Sequence, residues 1–426
     1  MKKEKIKFYN EEIIYEKLNN GLEVYILPKR DVSDVFVTFT TKYGGINYPF
    51  KAGNKLIKVP NGIAHFLEHK MFEQINRVDP FTFYNKSGTY CNAYTNYLNT
   101  TYLFAGSNNF EENLNYLLDY VQDGYFTDEN VEKEKGIIAQ ELKMYDDMPD
   151  NIIFERTVYN LFKTHPIKYP VGGTIPDIMK ITKEDLYNCY NSYYHPKNMF
   201  LVITGNVDIE KTLEIVKNNQ ESKEFKDINI KIENIKETDE VETKMEVIKH
   251  NVSTPYVAYS VKIPIKELKN IDKKKRNLYL SNMFNILFDE TSLFYEKMKE
   301  EELLDSPIDI DTLDTEEHKV YIFTFKAKKY KEIIDEIDNT LSNIKVTKED
   351  LERKIKVNIS GSLYIFDDIS KTNKWILNNK IMYDDIYTNI YDVFKSMNID
   401  ELNNIISKLN LKHKSILIIE NMDERS

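Results

Sequence analysis

His65-Phe66-Leu67-Glu68-His69 reads H-x-x-E-H, and the rest of the chain takes its meaning from that run. His65 and His69 are four residues apart, so a helix stacks them on one face. Two imidazoles at that spacing can hold one Zn²⁺ through ring nitrogens. Glu68 precedes His69 and can lean over the same metal. A carboxylate there can take a proton from a water whose pKa zinc has lowered to about 7. The order is the mirror of H-E-x-x-H. The same five residues also suit a plain surface helix carrying two His and a Glu, and a third ligand decides between the two.

A candidate third ligand comes from a second helix. Thr127-Asp128 offers an N-cap, and the helical pattern runs to about Asp146. Glu134 and Glu141 are two turns apart on it and share a face. Glu141 lies 72 residues beyond His69. Two His and one Glu, with water as the fourth ligand, make a catalytic zinc set. Glu134 is placed to orient a ligating His from behind. A solvated helix rich in Glu would have the same composition, so Glu141 gains its meaning from the histidine pair.

The whole-chain properties are compatible with this reading. The chain has 426 residues, 41% apolar and 30% charged, enough for several well-buried cores. A net charge of −11, with no basic block, excludes an ordinary nucleic-acid binder. No run of 18 apolar residues occurs, so no membrane span is expected. Met1 to Glu12 is polar and has no apolar signal core. The two cysteines, Cys91 and Cys189, give no disulfide framework. A cytoplasmic protein is expected.

Strands are expected at Gly21–Pro28, Val35–Thr40, Tyr90–Tyr97, Thr101–Gly106 and Met199–Thr204. Helices are expected around the motif, at Phe110–Val121, from Thr127, and at Lys183–Tyr193. After a polar stretch the order starts again, with strands at Tyr256–Val261, Val320–Phe325 and Ser415–Glu420. Helices then fall at Asn277–Glu301, Tyr330–Leu341, from Lys348, and at Asn398–Leu409. Corresponding elements lie 215 to 220 residues apart. The chain therefore reads as two copies of one α+β unit: a zinc-binding half at 1–217, a linker at 218–245 and a second half at 246–426. The chemistry is not repeated. At an offset of 220, Glu134 falls on Lys354 and Glu141 on Gly361, and the stretch from Asn285 to Asp289 has no H-x-x-E-H.

Several segments together resemble the pitrilysin/insulinase-type zinc metallopeptidases, and in particular the two-repeat, processing-peptidase-like bacterial members. Asn61 to Phe72 is similar to that family's active-site segment, and Gly88 to Thr95 to its substrate-pairing edge strand. Glu134 to Glu141 resembles its distal-Glu helix, and Tyr194-His195-Pro196-Lys197-Asn198-Met199 the run before its last strand. The resemblance covers nearly the whole chain. It implies zinc ligation by His65, His69 and Glu141, Glu68 as general base, and Glu134 as support behind the ligands. It also implies that a peptide substrate lies along Asn92, Ala93 and Tyr94 as an added strand. The implied architecture is two homologous halves, each an antiparallel sheet with packed helices, forming half of a clamshell around a chamber. His195 is expected to be structural.

One segment departs from the family pattern. Active members carry an Arg and a Tyr, seven apart, in the second half, where they help hold the substrate carbonyl. Here Met298 and Asp305 occupy those places. The implied activity is a zinc-dependent endopeptidase, completed as a homodimer or as a heterodimer with a related chain supplying Arg and Tyr. The alternative is a zinc-binding but weakly active peptide-binding or scaffolding subunit of a heterodimer.

Overall fold

The computed structural model describes residues 1–233 and 235–422; Asn234 in the expected linker and residues 423–426 lie outside that range. Four strands open the chain: β1 (Lys2–Ile6), β2 (Glu11–Lys17), β3 (Glu23–Pro28) and β4 (Val35–Thr41). The short β5 (Phe50–Ala52) and β6 (Lys55–Ile57) follow. Next come α1 (Ile63–Met71), α2 (Pro80–Asn85), β7 (Tyr90–Thr95) and β8 (Thr100–Gly106). The helices α3 (Phe110–Val121), α4 (Asp128–Asp146), α5 (Pro149–Leu161), α6 (Ile175–Ile178) and α7 (Lys183–Tyr193) lead to β9 (Met199–Gly205), α8 (Ile209–Glu221) and β10 (Ile230–Ile232).

The second stretch contains β11 (Met245–His250), β12 (Tyr256–Pro264), α9 (Lys273–Phe288), α10 (Leu293–Glu300), β13 (Asp309–Asp314) and β14 (His318–Lys326). It ends with α11 (Tyr330–Ser342), α12 (Lys348–Phe366), α13 (Ile369–Tyr383), α14 (Ile390–Ser396), α15 (Ile399–Ile406) and β15 (Lys414–Asn421).

Two α+β sheets carry the repeat. The first runs β1-β2-β3-β9-β4-β8-β7, and the second β11-β15-β12-β14-β13. Each is antiparallel except for one pair, β3 with β9 and β11 with β15. The last five strands of the first sheet therefore match the second sheet strand for strand and direction for direction. Helices α3 and α11 begin at Phe110 and Tyr330, and α4 and α12 at Asp128 and Lys348, both 220 residues apart.

Strand β4 is buried along its whole length, because both of its faces are covered. Val35, Val37 and Phe39 join a core with Leu114 and Leu117 of α3, Phe66 and Leu67 of α1, and Ile138 of α4. The opposite face meets α13. There the fully buried Asn373 donates to the carbonyls of Phe36 and Val202, each at 3.0 Å, and accepts from Thr38 Oγ1 at 2.7 Å.

The compact units interleave along the sequence. One contains Met1–Lys143, Tyr169–Asn234 and Ser362–Asn389; the other contains Met144–Lys168, Ile235–Gly361 and Ile390–Ser426. Helix α5, from the first stretch, packs on β12 and β15, while α13, from the second, packs on β4 and β9. The expected linker holds the end of α8 and the strand β10, which pairs with β5. The single helix expected over Asn277–Glu301 is two. Asp289 Oδ1 accepts from Thr291 N and Ser292 Oγ accepts from Tyr295 N, so local side-chain bonds turn the chain and cap a new helix. Among the described residues no helix is long and apolar enough to cross a membrane.

Asn373→Ala should destabilise the first unit by roughly 2–4 kcal/mol, since it strips partners from buried polar groups. Trp375, the sole tryptophan, lies on the same helix, so urea unfolding followed by its fluorescence checks this directly.

Candidate metal centre

Helix α1 presents two faces. Ile63, Phe66, Leu67 and Met71 point into the core, while His65, Glu68 and His69 share the other side. Its start is fixed by Gly62, at φ +84°, where a Cβ would lie 2.3 Å from the carbonyl oxygen of Gly172. The close approach brings the Gly172 backbone against His65. Helix α4 does the same from the other side: Val131, Ile138 and Leu142 are buried, and Glu134 and Glu141 face α1. Thr127 caps α4 through Asn130 N at 3.1 Å.

The three expected ligands converge. His65 Nε2 and His69 Nε2 are 3.2 Å apart. Glu141 Oε2 lies 3.4 Å from His69 Nε2, and Glu141 Oε1 3.9 Å from His65 Nε2. Tetrahedral zinc with bonds of about 2.0–2.1 Å separates its ligand atoms by roughly 3.3–3.5 Å, so the donor set fits. Among the described residues this is the one His/Cys/Asp/Glu group of metal-binding geometry.

The surroundings fix the ligands. His69 Nδ1 meets Glu134 Oε1 at 3.1 Å, which directs Nε2 toward His65. His65 Nδ1 is buried without a hydrogen-bond partner, so nothing from behind orients that ring as Glu134 orients His69. Glu68 Oε2 accepts from Thr95 Oγ1 at 2.5 Å, and Thr95 is the last residue of β7. Burial, aided by the neighbouring His69, pushes the His65 pKa down to about 3. Burial also acts against the charged form of His69, but its hydrogen bond to Glu134 and the charges of Glu134, Glu141 and Glu68 prevail and raise its pKa. Burial raises the Glu68 carboxyl. The same effect on Glu134 is outweighed by His69 and Lys70, leaving that carboxyl low.

A groove of about 760 Å³ opens beside Glu68 and His69. Its wall includes Phe72 stacked on Phe81, at 4.8 Å between centroids, together with Asn92 and Ala93. Strand β7 is the edge of its sheet, so one side of its backbone is free to pair. Tyr94 lies on the same strand, but its phenol is held by Thr101 and Asn99 and does not line the groove. His195 is structural: its Nδ1 accepts from Lys197 N at 3.1 Å. Met298 is 1% exposed, a core residue of the second unit, whereas Asp305 is exposed. Thr95 and Lys70 are the site residues that sequence reasoning missed. Thr95 closes the edge-strand segment singled out above, but a lone Thr gives no signal of its partner.

The second sheet's unit shows what replaces this arrangement. Counterparts of His69 and Glu134 at an offset of 220 are Asp289 and Lys354, and their side chains form an ion pair. Where the first unit has an imidazole and a carboxylate, the second has a carboxylate and an ammonium.

A fold with this site belongs to the inverted-motif zinc peptidases. Residues 58–175 match the insulinase family, peptidase family M16, and residues 180–358 match the peptidase M16 inactive domain. The chain belongs to that family. It is 42% identical over 306 residues, 71% of each chain, to a zinc protease, YmfH, of Bacillus subtilis. Other bacterial zinc proteases are matched over less than half of their own length. An M16-like peptidase from Alicyclobacillus acidocaldarius superposes with a TM-score of 0.89 at 26% identity, covering 96% of this chain and 98% of that one. The periplasmic protease PqqL of Escherichia coli shares the fold, with a TM-score of 0.72 at 17% identity. That match takes in 96% of this chain and 47% of PqqL.

Zinc affinity of the metal-free chain should fall about tenfold per pH unit once the pH drops below the raised pKa of His69, because that ring must shed its proton to ligate. His65, with its depressed pKa, stays neutral over the same range and adds no slope. Chelator-competition titrations between pH 5 and pH 8 measure this.

Proposed function

We propose that this chain is the zinc-bearing catalytic subunit of an endopeptidase that hydrolyses peptides or short unfolded segments in a closed chamber. The observation that carries the reading is the convergence of His65, His69 and Glu141, with the Glu68 carboxylate beside them and a free sheet edge alongside. On this reading Nε2 of both histidines and one Glu141 oxygen hold the metal. When bound there, zinc supplies a Lewis acid and an acidified water.

The chain's own groups do the rest. An extended peptide pairs with the outer edge of β7 near Asn92 and Ala93, a mode that reads backbone more than side chain. Glu68 takes the proton of the attacking water and returns it to the leaving amide nitrogen. Thr95 holds one Glu68 oxygen and leaves the other for that water. A raised Glu68 pKa suits a group that must both accept and give a proton near neutrality. Glu134 keeps His69 in the ligating orientation.

A partner completes the chamber. One half of the longer PqqL chain has this fold, which supports a pairing of two such chains. A substrate carbonyl needs donors, and neither Met298 nor Asp305 supplies one. A related chain offering Arg and Tyr in trans meets that need better than a second copy of this one. The buried Met298 also favours a second reading, a zinc-binding subunit that holds peptides and turns over little by itself.

Glu68→Gln should retain zinc and lose about 10² or more in peptide hydrolysis, because Gln cannot accept the water's proton. Cleavage at the parent rate would remove Glu68 from the mechanism. The isolated chain should cleave an unstructured peptide weakly, with activity appearing on addition of an Arg- and Tyr-bearing relative. Full turnover by the lone chain, unaltered in Met298→Ala and Asp305→Ala, would show that no partner is needed.

A further inference from the structure

Lys70 stands on the core side of α1, one turn after Phe66 and Leu67, where an apolar residue would be expected. Its side chain is completely buried. Taking an ammonium out of water is costly unless carboxylates meet it, and two do. Glu73 Oε2 accepts from Nζ, and Glu134 Oε2 lies 3.6 Å away. Glu134 is also the carboxylate whose other oxygen meets His69 Nδ1. One carboxylate is thus held at both oxygens, by His69 on one side and Lys70 on the other.

We propose that Lys70 is a positioning residue of the metal centre, acting through Glu134. Held at one oxygen, a Glu side chain can still swing about its terminal torsion, which is broad. Held at two, it fixes the plane of the carboxylate. That in turn fixes the His69 ring and aims Nε2 at the point shared with His65 and Glu141. The second unit shows that the Glu134 position is held by charge there too. Its counterpart of Glu134, Lys354, is likewise held by a charged partner, Asp289, which caps the end of α9 at the position matching His69. Glu73 is 39% exposed in its side chain, so an ordinary surface pair with Lys70 does not account for burying the ammonium.

The proposal rests on the zinc reading given above, and the test separates the two. Zinc affinity is measured by competition with a chromophoric chelator in the parent, Lys70→Met, Glu134→Gln and the double variant, with folding checked by circular dichroism. Lys70→Met should weaken zinc by about 10–100-fold in the parent background. In the Glu134→Gln background it should weaken zinc by less than about threefold, since the group it acts through is already altered. Equal losses in both backgrounds, or no loss at all in a folded Lys70→Met, would overturn the assignment. If Lys70→Met does not fold, Lys70→Gln is carried through the same cycle and read the same way. A parent chain that binds no zinc would instead defeat the reading of the site itself.

Discussion

The meeting of α1 and α4 over a buried set of charges is the constraint on which everything else turns. Each helix gives its apolar side to one core and its polar side to the other helix. Three carboxylates and two imidazoles are brought together there, and burial penalises the charged forms of His65, Glu68, His69 and Glu134. Opposite charges, a hydrogen bond to each of Glu68 and Glu134, and on our reading a divalent cation, make the crowding tolerable. The sheet fixes the spacing. β7 and β8 run under α1, and Thr95 brings the edge strand to within hydrogen-bond reach of Glu68. Glu68, the candidate metal ligands and the sheet edge are therefore parts of one packing arrangement.

The two units show how little must change to keep a fold and lose a centre. Strand order, strand directions and helix positions agree, while His65, Glu68, His69, Glu134 and Glu141 become Asn285, Phe288, Asp289, Lys354 and Gly361. Phe288 enters the core and packs tilted against Phe323, 4.9 Å between ring centroids. Asp289 and Lys354 satisfy each other directly and leave nothing for a metal to do.

Local periodicity made much of this legible in advance. The four-residue step from His65 to His69 and the two-turn step from Glu134 to Glu141 are properties of any helix, so side-chain identity and spacing suffice to place them on one face. Strand and helix positions in the two stretches followed from the same patterns, and α3 and α7 fall where the periodicity puts them. What escaped depends on contacts distant in sequence. Nothing in Thr95 or Lys70 announces the carboxylate it meets 27 or 64 residues away. That Met298, which stands where the family pattern has a donor, lies in the core of the second unit is likewise set by packing that no local pattern shows. The turn at Asp289–Ser292 was hidden because an apolar helical pattern continues on both sides of it. The placement of α5 and α13 is a matter of tertiary packing, which no local pattern encodes.

That placement sets an order of assembly. The sheet bearing the metal centre has one face covered by helices encoded before residue 200, and the other by α13, encoded at Ile369–Tyr383. At about 5–20 residues per second of synthesis, the nascent chain carries its histidines for tens of seconds before that cover exists. During that interval Thr38 and the carbonyls of Phe36 and Val202 must stay with water or a chaperone. Completion of the unit that holds the candidate metal centre is thereby deferred until α13, ending at Tyr383, has been made.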